Sequence, residues 1–168
     1  MATWQRIKIP VRKDLSKIQR KAVGLEIIQH IRKRTSEGRD KHGNPWKGKA
    51  GEYSKSYRNS LDFKIAKGGS STVNLELSSE MMNSIEILSN KKGELTIGFD
   101  KNNSELNGKV EGNRLGTYGN SSPIRGKKRD FLGIERAKLK EIQDKYDFKS
   151  TDRQKVKERI DRINSILG

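Results

Sequence analysis

At 168 residues, with 30% hydrophobic and 35% charged side chains and a mean hydropathy of −0.95, the chain is expected to form one domain with a small core and much solvated surface. It has no cysteine, which excludes a disulfide framework or thiolate zinc site; no apolar run approaches the roughly 18–20 residues of a membrane-spanning helix, and the opening MATWQRIKIP lacks the apolar stretch of a signal peptide, so a soluble protein made in a cytoplasm is expected. The net charge of +16 is unevenly spread: residues 1–50 hold 14 basic and 4 acidic side chains, residues 51–100 hold 6 and 7, and residues 101–168 hold 17 and 10, a balance that points to nucleic acid or an acidic partner.

Residues 4–9 (WQRIKI) alternate apolar and polar and predict a short strand ended by Pro10. From Lys13 to about Ser36 the pattern is helical. Leu15, Ile18, Ala22, Leu25 and Ile28 form one face, widened by Ile27 and Ile31. Arg32, Lys33 and Arg34 fall in the last turns, where cations suit the helix dipole, and Gly38 marks the stop. Residues 38–54 read as a loop, with Trp46 folding back onto the core. Tyr53 to about Phe63 reads as a short helix with Tyr57, Leu61 and Ile65 on one side. TVNLEL (72–77) alternates Val73, Leu75 and Leu77 as a strand would, and SSEMMNSI (78–85) predicts one or two helical turns behind a serine cap. Residues 85–99 predict a hairpin with arms Ile85–Ile87 and Leu95–Ile97–Phe99 and a turn at Asn90-Lys-Lys-Gly93.

Residues 100–112 are polar, with a turn or two of helix near Glu105–Glu111. NRLGTYGNSSPIRGKKRDFLGI (113–134) then runs through a basic knot into an apolar cluster. It suits a nucleic-acid loop, a phosphate cradle, or an assembly arm pinned by a hydrophobic foot. ERAKLKEIQDKY (135–146) is helical, with Ala137, Leu139, Ile142 and Tyr146 apolar. Residues 152–167 form an amphipathic helix that Asp152 could cap; its narrow stripe of Val156, Ile160, Ile163 and Leu167 fits docking on a neighbouring surface.

No catalytic constellation stands out. His30 and His42 are isolated, whereas a metal site needs several converging ligands. There is no GxSxG, P-loop or HExxH, and the glycines of 108–119 lack the GxGxxG spacing between strand and helix. The expectation is a non-enzyme with no cofactor and no metal. Arg32-Lys33-Arg34 and Lys127-Lys128-Arg129 are either solvated or contact DNA phosphates or an acidic protein partner. Aromatics are few and not interleaved with these runs, which disfavours single-strand recognition.

Five features in order give the chain a family resemblance. They are the basic N-terminal helix; Gly43-Asn-Pro45-Trp46 followed by Tyr53-Ser54; a strand running into Ser78-Ser-Glu-Met81 and Ser84-Ile85; Ile97-Gly98-Phe99; and Val110-Glu-Gly-Asn113 through Leu115-Gly116-Thr117 to Arg129-Asp-Phe131-Leu-Gly133. The set resembles the phage virion-morphogenesis family (Mu G-like tail-completion proteins) and the tail-completion proteins of long-tailed phages. Ser79-Glu80 departs from the family's Thr/Ser-Gly, Asp130 from its common Pro, and the helix at 150–167 has no counterpart.

The resemblance implies an α+β fold, a small antiparallel sheet packed by the long N-terminal helix; residues 1–146 are read as that domain and 147–168 as a C-terminal amphipathic helix added to it. It implies a structural virion subunit forming a ring, a hexamer, in the neck between the head-side connector and the tail, with double-stranded DNA crossing the lumen. The expected partners are copies of the chain, the head-closure or connector protein, and the tail terminator or tail tube; no membrane is involved. In this frame residues 100–130 are an extended arm reaching an adjacent subunit through Asn113, Leu115, Gly116, Thr117, Tyr118, Arg125 and Arg129, and Phe131, Leu132 and Ile134 are its anchor. Arg32, Lys33, Arg34, Lys127 and Lys128 would contact DNA or an acidic partner, and Val156, Ile160, Ile163 and Leu167 would dock the last helix. The alternatives are a tail terminator or head-closure ring protein, or a sequence-nonspecific nucleic-acid binder resting on charge.

Overall fold

Ser16 begins the longest element of the computed structural model, which describes residues 5–67, 73, 75, 80–100, 102, 104–117, 127–146 and 153–167. Its hydroxyl accepts the Gln19 N–H at 3.2 Å, and the Gln19 side chain accepts the Ser16 N–H at 2.8 Å. This reciprocal capping satisfies two otherwise orphaned donors, so helix α1 (Lys17–Ser36) starts four residues later than its apolar periodicity suggests. Lys33 and Arg34 lie in its last turn.

The sheet has three antiparallel strands, β1 (Arg6–Pro10), β2 (Glu86–Lys91) and β3 (Glu94–Gly98), in the order β1-β3-β2. Ile9 lies opposite Leu95, and Ile7 opposite Ile97. Lys92 and Gly93 make the β2–β3 turn, with Gly93 at φ 83°, where a side chain is strained. The β2–β3 register shifts between Ile87 and Ser89. At Gly98 the chain passes so close to β1 that a Cβ would strike the Gln5 carbonyl oxygen and come within 2.8 Å of the Arg6 Cα. The fold is thus α+β: a small antiparallel sheet with a long helix packed on it.

Four further helices close the core: α4 (Glu80–Asn83), α5 (Ser104–Leu115), α6 (Arg136–Asp144) and α7 (Arg153–Leu167), while α2 (Lys55–Arg58) and α3 (Leu61–Lys67) lie to one side. Helix α1 packs against β2 and β3 and also against α6 and α7. Being covered on more than one side, it buries a broad face that includes Val23, Ile27, Ile31, Gln19 and Glu26, and it leaves Ile18 48% exposed. Most of the predicted stripe is buried as expected (Leu15, Ala22, Ile27, Ile28 and Ile31, with Leu25 partly so), and Ile18 is the member that faces outward.

Other expectations shift for local reasons. The helix predicted over Tyr53–Phe63 breaks at Asn59–Ser60, where the Ser60 hydroxyl accepts the Phe63 N–H at 3.3 Å; Leu61 and Ile65 then face outward. Of the strand predicted at 72–77, only Val73 and Leu75 are described, and neither is in a strand; Leu75 has φ 58°. Within the arm predicted over 100–130, the turn or two of helix expected near Glu105–Glu111 is present and runs longer, over Ser104–Leu115, because Leu106 and Val110, one turn apart, are buried in the core. The C-terminal helix α7 lies on α1, and its Val156 and Ile160 join the same core. Its stripe, predicted to dock elsewhere, is used by the chain itself: Ile163 is buried too, and Leu167 packs partly against the core. Asp152, its predicted cap, lies outside the described residues.

Candidate functional site

Residues distant in sequence meet at two buried guanidinium groups. Arg34, 4% exposed, donates to the carbonyls of Phe131 at 2.7 Å, Gly133 at 3.1 Å and Lys41 at 3.1 Å, and pairs with Glu135 at 3.3 Å. Arg129, also 4% exposed, donates to the carbonyls of Ala50 at 2.7 Å and Glu52 at 2.9 Å and to the Asn113 side chain at 3.1 Å, while its N–H meets the Asn113 carbonyl at 2.7 Å. A planar guanidinium with five donors suits this role, since it can satisfy several diverging carbonyls at once. Between them, Asp130 pairs with Lys41 at 2.8 Å and Arg114 at 3.1 Å. Burial alone would raise the Asp130 pKa, but these cations outweigh it and hold the carboxyl below its ordinary value.

These contacts change two assignments. Arg34 was expected to meet DNA or a partner, and Arg129 a neighbouring subunit; both are internal clamps because each is surrounded by carbonyls of its own chain. Phe131 and Leu132 are fully buried and Ile134 partly so, and the Phe131 ring meets Phe99 edge-on at 6.2 Å, so all three anchor this segment to the core. Gly116, with φ 77°, lies against the Lys128 backbone, Thr117 is half-buried, and Leu115 is 37% exposed. Tyr118 and Arg125 lie outside the described residues.

Of the remaining cations, Lys33 and Lys128 are exposed and Lys127 half-buried. Arg32 donates to the Leu167 carbonyl at 3.0 Å and the Asn83 carbonyl at 2.8 Å, tying the end of α1 to α7 and α4. Trp46 packs against the core as expected. His30 faces Glu135 at 3.3 Å; burial, then the charge of Arg34, lower its pKa despite that carboxylate. His42 is exposed. Among the described residues no three His, Cys, Asp or Glu side chains group as metal ligands, and no described helix is long and apolar enough to cross a membrane.

The sequence reading missed two features. Glu26, 8% exposed, accepts from the Tyr146 hydroxyl at 2.6 Å, Arg159 at 3.0 Å and Lys145 at 3.2 Å, welding α1 to α6 and α7. Burial and Glu26 together push the Tyr146 pKa far up, so its hydroxyl stays protonated as a donor. A carboxylate flanked by Val23 and Ile27 was the available signal. The second is a cavity of about 510 Å³ whose walls include Tyr53, Tyr57, Leu75, Met81, Lys109 and the clamp residue Arg129. Tyr53, Tyr57 and Phe63 pack together with ring centres 5.2–5.4 Å apart, and Arg129 sits 5.6 Å over the Tyr53 ring.

No family model, curated protein or solved structure matches the chain.

Proposed function

We propose that the chain is a structural, non-enzymatic subunit of a tailed-phage virion: a tail-completion protein that forms a hexameric ring in the neck and lets double-stranded DNA pass. One observation carries the reading. Three of the segments that bear the family resemblance, though spread along the chain, come into contact with one another. The loop after Gly43-Asn-Pro45-Trp46 and Asn113 near the end of α5 are bound by Arg129, Phe131 meets the Phe99 that follows Ile97-Gly98, and the Lys41 N–H donates to the Asp130 carbonyl at 2.8 Å. A set of motifs that is only an accident of composition has no reason to assemble in this way.

A conduit must let DNA slide, so most of the basic surface faces acidic neighbours or solvent rather than the lumen. Cryo-electron microscopy of purified virions tests the reading. A six-fold ring of this chain at the head–tail junction is the expected result. Absence of the chain from the particle would overturn it and favour the charge-based DNA-binding alternative. A ring at a different level of the neck would assign the chain to the head-closure or tail-terminator position.

A further inference from the structure

Ile18, the outward member of the α1 stripe, is 48% exposed and takes no part in the core. It shares the first turns of α1 with Lys17 and Lys21, and Leu25, half-buried, follows on the same stripe two turns away. Folding brings further cations to this end of the molecule. The Asn90 side chain donates to the Lys17 carbonyl at 3.0 Å and accepts from Arg20 at 2.8 Å, which staples the start of α1 to the β2–β3 hairpin, with Lys91 and Lys92 at its tip. The Lys13 stem lies over the same turn, 3.2 Å from where a Cβ on Gly93 would stand. These five lysines are all exposed, and none of their side chains makes a hydrogen bond or ion pair. The acids of the same segments are engaged elsewhere: Asp14 pairs with Arg12, Glu94 with Lys8, and the buried Glu26 with Lys145 and Arg159. The first turn of α1 holds no acidic residue.

We propose that this face docks an acidic amphipathic helix of a partner protein, whose apolar side chains lie on Ile18 and Leu25 and whose flanking carboxylates meet the lysines. Two apolar residues one heptad apart and bordered by charge form the pattern along which one helix lies on another. Lysines that lack counterions in their own chain select a partner of opposite sign. A second copy of the chain, itself at +16, would bring mostly like charge. A duplex phosphate backbone would use the lysines and leave Ile18 uncovered, and a single strand finds no aromatic platform among these residues. The inference stands on Ile18 and the unpaired lysines and not on the neck reading, so either can fail alone.

The test uses the full chain and fluorescein-labelled helical peptides of Glu and Ala that carry Leu at heptad spacing. A matched peptide has Ser in place of each Leu, and a labelled duplex DNA serves as the nucleic-acid probe. Anisotropy at physiological salt is expected to show saturable binding about tenfold or more tighter for the Leu peptide than for the Ser peptide. Ile18→Ser and Lys17→Glu should each weaken it about tenfold, whereas Lys128→Glu, the same change of charge at an exposed position on another segment, should leave it unchanged. Circular dichroism melts check that each variant is folded. With isoleucine methyls labelled for NMR, the Ile18 signal should move when the Leu peptide binds. Equal affinity for the Ser peptide, an equal loss from Lys128→Glu, displacement of the peptide by duplex DNA at this salt, no binding by the Leu peptide, or binding without an Ile18 shift would each overturn the proposal.

Discussion

Arg34 and Arg129 show why a charged residue can be structural. Each lies among backbone carbonyls that its own chain cannot otherwise satisfy, and a buried acceptor left without a donor is destabilising. Replacing Arg129 by Met keeps the stem and removes the donors. The expected loss is about 3 kcal/mol, or a fall in Tm of roughly 6–12 °C for a chain of this size, read by calorimetry. His30 and Asp130 set the acid response. His30 is held below its ordinary value of 6.5 first by burial, so the unfolded chain takes up the proton before the folded one. Its contribution is intact above pH 6.5 and is lost as the pH falls from there toward the folded pKa. Asp130 is also depressed, so its contribution is present above its ordinary value of 3.8 and fades as the pH falls through the lower folded value. The His30→Asn variant should therefore lose part of the decline in Tm between about pH 7 and pH 5, and Asp130→Asn should differ from wild type near neutrality but converge with it in acid. Thermal melts from pH 7 to pH 5 check the first, and melts continued down to about pH 2 check the second.

At the scale of elements, the sheet and the C-terminal helix carry the clearest tests. A Cβ at Gly98 meets the backbone of β1 and of Gln5 just before it, so Gly98→Ala has to push the edge strand β1 away from the central β3. We expect a loss on the order of 3 kcal/mol, with slower refolding excluded as the sole effect by equilibrium denaturation. Helix α7 covers α1 through Val156, Ile160 and Ile163, all buried. Ile160→Ala should destabilise by about 2–4 kcal/mol if the helix belongs to the fold, as a cavity in the core does. A near-neutral Ile160→Ala would show that α7 leaves α1 in solution. The prediction that α7 docks on a neighbour came from reading its stripe alone; the broad apolar face of α1 was the complementary surface, and no periodicity states which stripe meets which.

For the whole molecule, the charge of +16 should produce DNA binding that is salt-sensitive rather than specific. Under the neck reading, affinity for duplex DNA should drop by about a thousandfold or more between 50 and 200 mM salt, as expected for several phosphate contacts. Fluorescence anisotropy with two unrelated duplexes measures this; retained affinity at the higher salt, or a preference for one duplex, would favour the nucleic-acid-binding alternative. Lys33 and Lys128, which are exposed, are the positions where charge reversal should lower that binding. Arg34 is buried and should affect stability instead.

Local pattern alone determined the elements whose signals are short-ranged: α1 from its apolar period, the β2–β3 hairpin from its alternation and glycine turn, and the Phe131–Leu132 anchor from an apolar cluster after a polar stretch. It also determined the excess of positive charge. Tertiary structure decided that the polar Gln19 and Glu26 of α1 are buried beside its apolar stripe, because α6 and α7 cover the helix in addition to the sheet. It decided that the turn or two of helix expected near Glu105–Glu111 extends over residues 104–115 and packs inward, because Leu106 and Val110 find the core. It decided the fate of individual cations, since the carbonyls that claim Arg34 and Arg129 are brought close only by folding. Hydrophobic period is a property of neighbours in sequence, whereas satisfaction of a buried polar group is a property of neighbours in space, and the candidate site is built mostly of the second kind.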